Sequence, residues 1–394
     1  MNENSKLNDQ ENGRLTDLRG KIDTIDGKLL ELFDERMGVI SEIAEHKKSN
    51  RLPVLDRQRE AEKLNAISEK ANPKTENYAR ILYNTLFDLS RSFQRSLFRG
   101  ETSALCREIK NALGETPQLF PERATVACQG AEGAFSGLAS TRLFRQPSIQ
   151  YFKTFESVFS AIENGFCDYG ILPLENSTAG SVNKVYSLMQ SRSFYIVRSI
   201  RMKIDHNLVA PKGVKLEDVR EIFSHEQALA QCSAFIEKLG SQVKTTQCEN
   251  TAEAAGIIAN TDRRDIAAIC SHSCTRLYDL DCLEKDIQDR SNNYTRFICI
   301  SKKLEIYPGA DRTSIIMTVP HEPGSLYRAL GRFYALGINL SKLESRPVPE
   351  RDFDFMFYLT LETSIYSDAL AELLEDIQET SDGFKYLGSY SEVL

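Results

Sequence analysis

Tryptophan is absent from this chain of 394 residues, and histidine occurs only five times. No stretch approaches the ~20 apolar residues that carry a helix across a bilayer. The first dozen residues are polar, so no secretory hydrophobic region opens the chain. Neither charge sign dominates: 49 basic and 56 acidic residues leave a net charge of -7. That mildly acidic balance argues against a general nucleic-acid binder. Nine cysteines without a leader are expected to be reduced thiols in a cytosol. Only Cys270-Ser271-His272-Ser273-Cys274 is clustered, and no further ligand group stands out to complete a metal site. What is there is ordinary globular material, with 41% apolar and 27% charged residues. The length suggests two to four domains.

Composition shifts twice along the chain. Residues 1–104 are poor in glycine and helical in pattern. Residues 105–122, with Gly114-Glu115-Thr116-Pro117 and Pro121, read as a linker. Residues 123–303 alternate short β-branched runs with helical patterns, which predicts parallel sheets covered by helices, as one sheet or as two lobes with a cleft. After Tyr307-Pro308-Gly309-Ala310, residues 311–394 read as strand, helix, strand, strand, helix, strand. That order is the ferredoxin-like arrangement. Its strands are expected at Thr313–Val319, Asn339–Glu344, Phe353–Leu361 and Phe384–Tyr390. The fold class is therefore multidomain: all-α, then α/β, then α+β.

The first segment predicts three helices, ending near Lys48, Ala71 and Arg99. Leu15, Leu18, Ile22, Ile25, Leu29, Leu32, Val39 and Ile43 form a 3.5-residue seam, as in a long helix packed on another helix. Arg36 falls where that seam calls for an apolar residue. A buried arginine is costly unless it meets an anion. Lys47 lies ~16 Å further along, so the two cations flank a space suited to a small dianion. Asp56, Arg59 and Glu60 share one face of the second helix, and Ser90 and Gln94 one face of the third. Arg19 sits ~25 Å before Arg36, too far for one ligand to touch both. It is either a surface charge or, in a two-fold dimer, a residue reaching the partner's site.

These residues, together with Leu18-Arg19-Gly20-Lys21-Ile22-Asp23 and Pro53-Val54, resemble an all-helical chorismate mutase over residues 14–98. The resemblance implies a three-helix, intertwined dimer that rearranges chorismate to prephenate without nucleophile, cofactor or metal. It implies that Arg36, Arg59 and the partner's Arg19 grip carboxylates. Lys47 and Gln94 would donate to the ether oxygen, Glu60 with Asp56 would hold the ring hydroxyl, and Ser90 would bind a carboxylate.

Three polar clusters stand at strand ends in the middle segment: Glu175-Asn176-Ser177-Thr178, then Ser224-His225 with Gln231, then Asn292-Asn293-Tyr294-Thr295-Arg296-Phe297. A strand end feeding a hydroxyl-rich helix start suits an anion, and three of them suggest one cleft. Their order, with Gln129-Gly130-Ala131-Glu132-Gly133-Ala134-Phe135-Ser136, resembles prephenate dehydratase over 123–303. That implies two lobes of periplasmic-binding-protein type and loss of carbon dioxide and hydroxide from prephenate to give phenylpyruvate. By the resemblance Thr295 donates to the leaving hydroxyl. Asn176, Ser177, Thr178, Ser224, Gln231, Arg296 and Phe297 are candidates for substrate binding, and His225 or Glu175 for supplying the proton.

Pro323-Gly324-Ser325-Leu326-Tyr327 and Glu344-Ser345-Arg346-Pro347 resemble the ACT regulatory domain of phenylalanine-sensitive dehydratases. This implies feedback inhibition by phenylalanine, bound by Gly324, Ser325, Leu326, Asn339, Glu344, Ser345, Arg346 and Pro347 between two such modules. The whole-chain order resembles bifunctional chorismate mutase–prephenate dehydratases, a cytoplasmic homodimer with a tetramer left open. Two alternatives remain at this level. A fused prephenate dehydrogenase would need a G-x-G-x-x-G fingerprint, which no segment supplies. A mutase fused to a ligand-sensing α/β module would bind without turnover.

Overall fold

The computed structural model describes residues 3–98, 103–348, 355–381 and 383–394. It divides into two units, Met1–Ser103 and Ala104–Leu394. The first unit holds α1 (Glu3–Ser49), α2 (Arg57–Lys70) and α3 (Glu76–Phe98). Leu52-Pro53 ends α1, with Arg51 left-handed at φ 53. Asp56 caps α2 by accepting from the Arg59 N–H at 3.0 Å. The expected end of the third helix at Arg99 lies outside the described residues. Ala44 is buried, and Lys48 Nζ donates to the Leu97 carbonyl at 3.0 Å, tying the ends of α1 and α3. The seam itself is bare. Leu15, Leu18, Ile22, Ile25, Leu29, Leu32, Val39 and Ile43 are between 40% and 61% exposed. The described residues of this unit do not cover it.

The second unit opens with a helix where a linker is expected. In α4 (Ala104–Glu115), Leu105, Ile109 and Ala112 recur at helical spacing and are buried. They pack with Ile315, Met317, Phe333 and Leu373 of the C-terminal module. Enough apolar surface sits on one face of 105–115 to drive it into that core. Only the residues after it connect.

Two sheets follow. The first lobe contains β1 (Arg123–Gln129), α5 (Phe135–Leu143), β2 (Gln146–Phe152), α6 (Phe155–Glu163), β3 (Tyr169–Asn176), β4 (Gly180–Ser181), α7 (Asn183–Ser191) and β5 (Tyr195–Lys203). The second contains β6 (Asn207–Ala210), β7 (Glu221–Ser224), α8 (Glu226–Gln231), α9 (Ser233–Leu239), β8 (Lys244–Gln247), α10 (Thr251–Ala259), β9 (Ile266–Cys270), α11 (Ser273–Leu277) and β10 (Asp281–Glu284). The chain returns to the first lobe as β11 (Tyr294–Ser301).

Neither sheet is purely parallel, contrary to the expectation from alternation. β1 runs parallel to β2 and β3, but β11 lies antiparallel between β3 and β5. In the second lobe β7 runs parallel to β8 and β9, while β6 is antiparallel to β9 and β10. Helical crossovers keep strands parallel. The strands at the lobe-to-lobe connections have no such helix and enter reversed. These connections, 204–206 and 285–293, are bonded to each other. Ile287 N–H donates to the His206 carbonyl at 2.9 Å, and His206 N–H to Gln288 Oε1 at 2.9 Å.

The C-terminal module is β12 (Arg312–Thr318), α12 (Ser325–Ala335), β13 (Asn339–Pro347), β14 (Phe355–Glu362), α13 (Asp368–Thr380) and β15 (Phe384–Tyr390), with sheet order β13-β14-β12-β15. This is the expected ferredoxin-like topology. The expected strand start at Phe353 lies outside the described residues. Both faces of the sheet are covered. One meets α4, α12 and α13. The other places Ile316, Met356, Tyr358 and Leu387 against Val158, Val185, Tyr186 and Met189 of the first lobe. A last strand, β16 (Glu392–Val393), then leaves the module and pairs parallel with β5.

Gly388 allows this approach. Its φ is +126°, and an added Cβ would lie 2.3 Å from the Ile196 carbonyl oxygen. Gly388→Ala is expected to destabilise the 104–394 unit by ~2 kcal/mol or more, from left-handed strain and the clash together. A melting temperature equal to that of the parent chain would show that β15 is not pressed against β5.

Candidate active sites

In the helical unit, Arg36 crosses from α1 to α3. Its guanidinium donates to Ser90 Oγ at 2.5 Å and to the Leu86 carbonyl at 3.4 Å. Burial holds it below its ordinary pKa. Lys47 Nζ is held by the Val54 carbonyl at 2.6 Å. Ser90 and Gln94 are the buried polar residues of α3, and Gln94 Oε1 has no hydrogen-bond partner. Glu60 pairs with Arg91, which also pairs with Asp88. Arg91 is an addition to the set read from the sequence. Its position three residues after Asp88 is the only signal that marked it. Arg59 is exposed and reaches Glu62 at 3.7 Å, while Asp56 is occupied as a cap. Arg19 is exposed on α1.

In the second unit, a cavity of about 420 Å³ opens between the two lobes. Asn176, Thr295, Phe297, His225 and Gln231 line it, as expected. Gln129, Phe135, Ser136, Ser181, Asn250 and His206 line it as well. The Gln129 to Ser136 stretch was read only as a family mark, and His206 carried no motif.

A chain of side-chain amides joins the lobes here. Asn176 Oδ1 accepts from the backbone N–H of Thr178 at 3.0 Å and of Ala179 at 2.9 Å, which fixes the orientation of the amide. Asn176 Nδ2 therefore donates, to Thr295 Oγ1 at 2.9 Å and to Asn293 Oδ1 at 2.7 Å. Asn293 Nδ2 donates to Gln231 Oε1 at 3.0 Å. Gln231 Nε2 donates to Thr178 Oγ1 at 2.8 Å. Each orientation follows from the one before it.

Several candidates do other work. Ser224 is fully buried and donates to the Ile269 carbonyl at 2.6 Å, so it does not line the cavity. Ser177 braces its loop, donating to the Asn292 carbonyl at 2.6 Å and accepting from the Tyr294 N–H at 2.9 Å. Thr178 belongs to a neighbouring cavity that it shares with Gln231 and Asn293. Arg296 points away from the cleft, as strand alternation requires of the residue between Thr295 and Phe297. It pairs with Glu175 and, through Nε at 2.6 Å, with Glu392 of β16. Burial disfavours its charge, yet the Glu392 and Glu175 carboxylates outweigh this and hold the guanidinium above its ordinary pKa. Glu175 also receives Lys342 at 2.8 Å.

The motifs of the C-terminal module separate. Gly324, at φ 82, precedes α12, and Ser325 and Leu326 line a small cavity with Val319, Pro323, Phe355 and Phe357. Asn339 instead donates to Glu362 at 2.7 Å. Glu344 and Arg346 face the first lobe. Ser181 Oγ donates to Glu344 at 2.9 Å, and Arg346 donates to Asn183 at 2.5 Å. Ser345 and Pro347 pair with Phe357 and Phe355 along β13 and β14. Within one chain, then, the two motifs do not share a cavity.

A helical unit with inward cations, followed by a two-lobed α/β unit with a polar cleft, is the architecture of a two-reaction enzyme acting on small anions. Residues 18–95 match the family model of chorismate mutase type II, and residues 126–305 that of prephenate dehydratase. The chain is 31% identical to the bifunctional chorismate mutase/prephenate dehydratase of Aquifex aeolicus, over 96% of this chain and 98% of the relative. It is 35% identical to an arogenate dehydratase/prephenate dehydratase of Arabidopsis thaliana, over 68% of this chain and 73% of that one. A prephenate dehydratase from Arthrobacter aurescens, solved with L-Phe, matches with a TM-score of 0.63 at 27% identity, over 68% of this chain and 90% of that one. The chain belongs to the bifunctional chorismate mutase/prephenate dehydratase family. It converts chorismate to prephenate and prephenate to phenylpyruvate, in aromatic amino acid biosynthesis.

Glu392→Ala removes one of the two carboxylates that hold a guanidinium whose side chain is only 16% exposed. Losing one partner of a buried ion pair destabilises by up to about 3–5 kcal/mol. The expected outcome is a lower melting temperature and slower phenylpyruvate formation, with the prephenate-forming rate unchanged. Unaltered dehydratase kinetics and stability would show that β16 is dispensable.

Proposed function

We propose that the mutase site is completed by a second copy of the chain. The supporting observation is the bare seam of α1, whose leucines and isoleucines run at coiled-coil spacing and stand exposed. A matching helix is the natural cover. In that dimer Arg36 and Ser90 hold one carboxylate of chorismate, with Arg19 of the partner subunit and Arg59 at the other. Lys47 and Gln94 donate to the ether oxygen, where negative charge grows in the transition state, and Glu60, steadied by Arg91, takes the ring hydroxyl. The site works by holding the reactive conformer and stabilising that charge.

In the dehydratase cleft we assign Thr295 as the donor to the leaving hydroxyl. The observation that carries this is the Asn176 bond. Because Asn176 Nδ2 donates to Thr295 Oγ1, that oxygen is used as an acceptor and its own proton is free for the substrate. Asn176 is thus a positioning residue. Gln231 and His225 contact the substrate from the second lobe, which we read as one half of a periplasmic-binding-protein-like pair. Glu175, paired with Arg296 and Lys342, is a structural bridge in this reading rather than the acid.

We read the C-terminal module as an ACT domain that binds phenylalanine. The apolar cavity at Leu326, Phe355 and Phe357 suits the ring, and the N–H groups after Gly324 suit the carboxylate. Glu344 and Ser345 contribute from a second module. The nine free cysteines, most of them buried, suit a cytoplasmic setting.

Mixing inactive Arg19→Ala with inactive Arg36→Ala chains is expected to restore part of the mutase activity, since one hybrid site regains both arginines. No recovery after proven subunit exchange would reject a shared site. Leu326→Ala is expected to raise the phenylalanine concentration needed for half inhibition at least fivefold, with uninhibited turnover retained. An unchanged titration would place the inhibitor elsewhere.

A further inference from the structure

His206 lies at the first lobe-to-lobe connection, and its ring lines the same cavity as Thr295. It is 3% exposed, packed edge-on to Phe135 with ring centroids 5.9 Å apart. Its Nε2 is 2.9 Å from Gln231 Oε1. That oxygen is an acceptor, because the relay that starts at the Thr178 and Ala179 N–H groups leaves Asn293 donating to it. His206 Nε2 must therefore carry a hydrogen. The other ring nitrogen, Nδ1, is buried and has no hydrogen-bond partner. A buried polar atom without a partner costs about 1–3 kcal/mol. An orphan of this kind on a residue that lines the same cavity as Thr295 points to a partner that arrives with the substrate.

We propose that His206 is the general acid of the dehydratase step, giving its Nδ1 proton to the ring hydroxyl as that group leaves. The inference rests on the cleft being the dehydratase site. In the step, the C–O bond to the ring hydroxyl and the bond to the ring carboxylate both break. The electron pair of the carboxylate bond enters the ring, carbon dioxide departs, and the hydroxyl takes the Nδ1 proton to become water. His206 is left neutral with Nε2 still protonated, and Nδ1 regains a proton from solvent. Thr295 hydrogen-bonds the hydroxyl and orients it. No cofactor is needed for the balance.

The charges around the ring fit this cycle. In the free enzyme, burial lowers the His206 pKa, opposed by the Gln231 bond and by Asp205. The other titratable groups lining the cavity are His225 and Glu249. A substrate with two carboxylates adds two negative charges next to the ring, and nearby anions favour the protonated imidazole. The proton is therefore taken up with the substrate and consumed in the reaction. Since the protonated form is the active one, kcat falls as pH rises through the His206 pKa of the substrate complex.

The test compares His206→Gln, His206→Asn and Thr295→Ala in the full-length enzyme, following phenylpyruvate from prephenate across pH, with prephenate formation from chorismate as a control. Glutamine can keep a donor to Gln231, and asparagine a polar group near the Nδ1 position, but neither titrates. The expected result is a kcat loss of roughly 10²–10⁴-fold for both His206 variants, with the basic limb of the kcat profile abolished. A basic limb that persists in either variant overturns the proposal, whatever the size of the loss. If both variants fail to fold, the parent enzyme decides: kcat flat between about pH 6 and pH 9 overturns it, and a basic limb supports it. Thr295→Ala separates the two levels. If it turns over like the parent, the cleft is not the dehydratase site. If it is inactive while the His206 variants keep the limb, the cleft stands and the acid is another group.

Discussion

Arg296 is a cation that three segments of the chain must jointly satisfy. It lies near the start of β11, the strand that brings the chain back from the second lobe. Glu175, beside Asn176, supplies one carboxylate, and Glu392, in the last strand of the chain, supplies the other. Glu392 is itself shared with Arg312 of β12 at 3.6 Å. A guanidinium this enclosed is tolerable only with both partners in place. The condition fixes β3, β11 and β16 against one another. It also fixes Asn176 and Thr295, since each is the chain neighbour of a member of the pair. The cleft thus inherits its geometry from a bridge on the opposite face of the same sheet.

On the cleft face the corresponding constraint is polarity rather than charge. Two backbone N–H groups aimed at Asn176 Oδ1 set the direction of every later donor, through Asn293 and Gln231 to the Nε2 of His206. Amides are suited to this because each has a donor end and an acceptor end and cannot reverse one without reversing its neighbours. The relay draws members from both lobes and both connections, so it is complete only when the lobes hold this separation. The Thr295 end of the relay is set within the first lobe, by the Thr178 and Ala179 N–H groups, and the Gln231 and His206 end ties that setting to the second lobe.

Much of this was legible in the sequence. The module order of the C-terminal segment follows from its strand and helix periods. The polar clusters at strand ends do converge, because β3 and β11 of one sheet and β7 of the other direct their ends into the cleft between the lobes. Arg296 reads as a substrate ligand, whereas the structure pairs it with Glu175 and Glu392, and the period of two along Thr295-Arg296-Phe297 already points it to the other face. Glu392 had no signal: a charged residue next to a chain end reads as solvated, and only the sheet shows it buried. His206 was hidden for a similar reason, as a lone histidine between two strands with no motif around it. Residues 105–122 read as a linker on the strength of Gly114, Pro117 and Pro121, while the stripe of Leu105, Ile109 and Ala112 points to a packed helix over the first part of it. The seam of α1 reads as a helix-packing surface, and in the structure it lies on one long helix and is exposed.

The same contacts say how a ligand on the C-terminal module would be felt in the cleft. A ligand shifts an equilibrium only by binding its two arrangements differently. Phe355 and Phe357 present β14 to the cavity near Gly324, and β13 is bonded to β14 along its length. β13 also carries Lys342 and Glu344, the first paired with Glu175 and the second accepting from Ser181, a residue of the cleft wall. Hydrogen-bonded strands do not slide individually, so a ligand that repositions β14 repositions β13 with it. The Lys342–Glu175 ion pair and the Ser181–Glu344 hydrogen bond must then lengthen or the first lobe must follow. Either response reaches Asn176 through its neighbour Glu175. The module is also held to the first lobe by β16, which pairs with β5, and by the close approach of Gly388 to Ile196. Regulation built this way cannot be removed by cutting off the module: losing 311–394 would also remove Glu392 and leave Arg296 with half of its counter-charge.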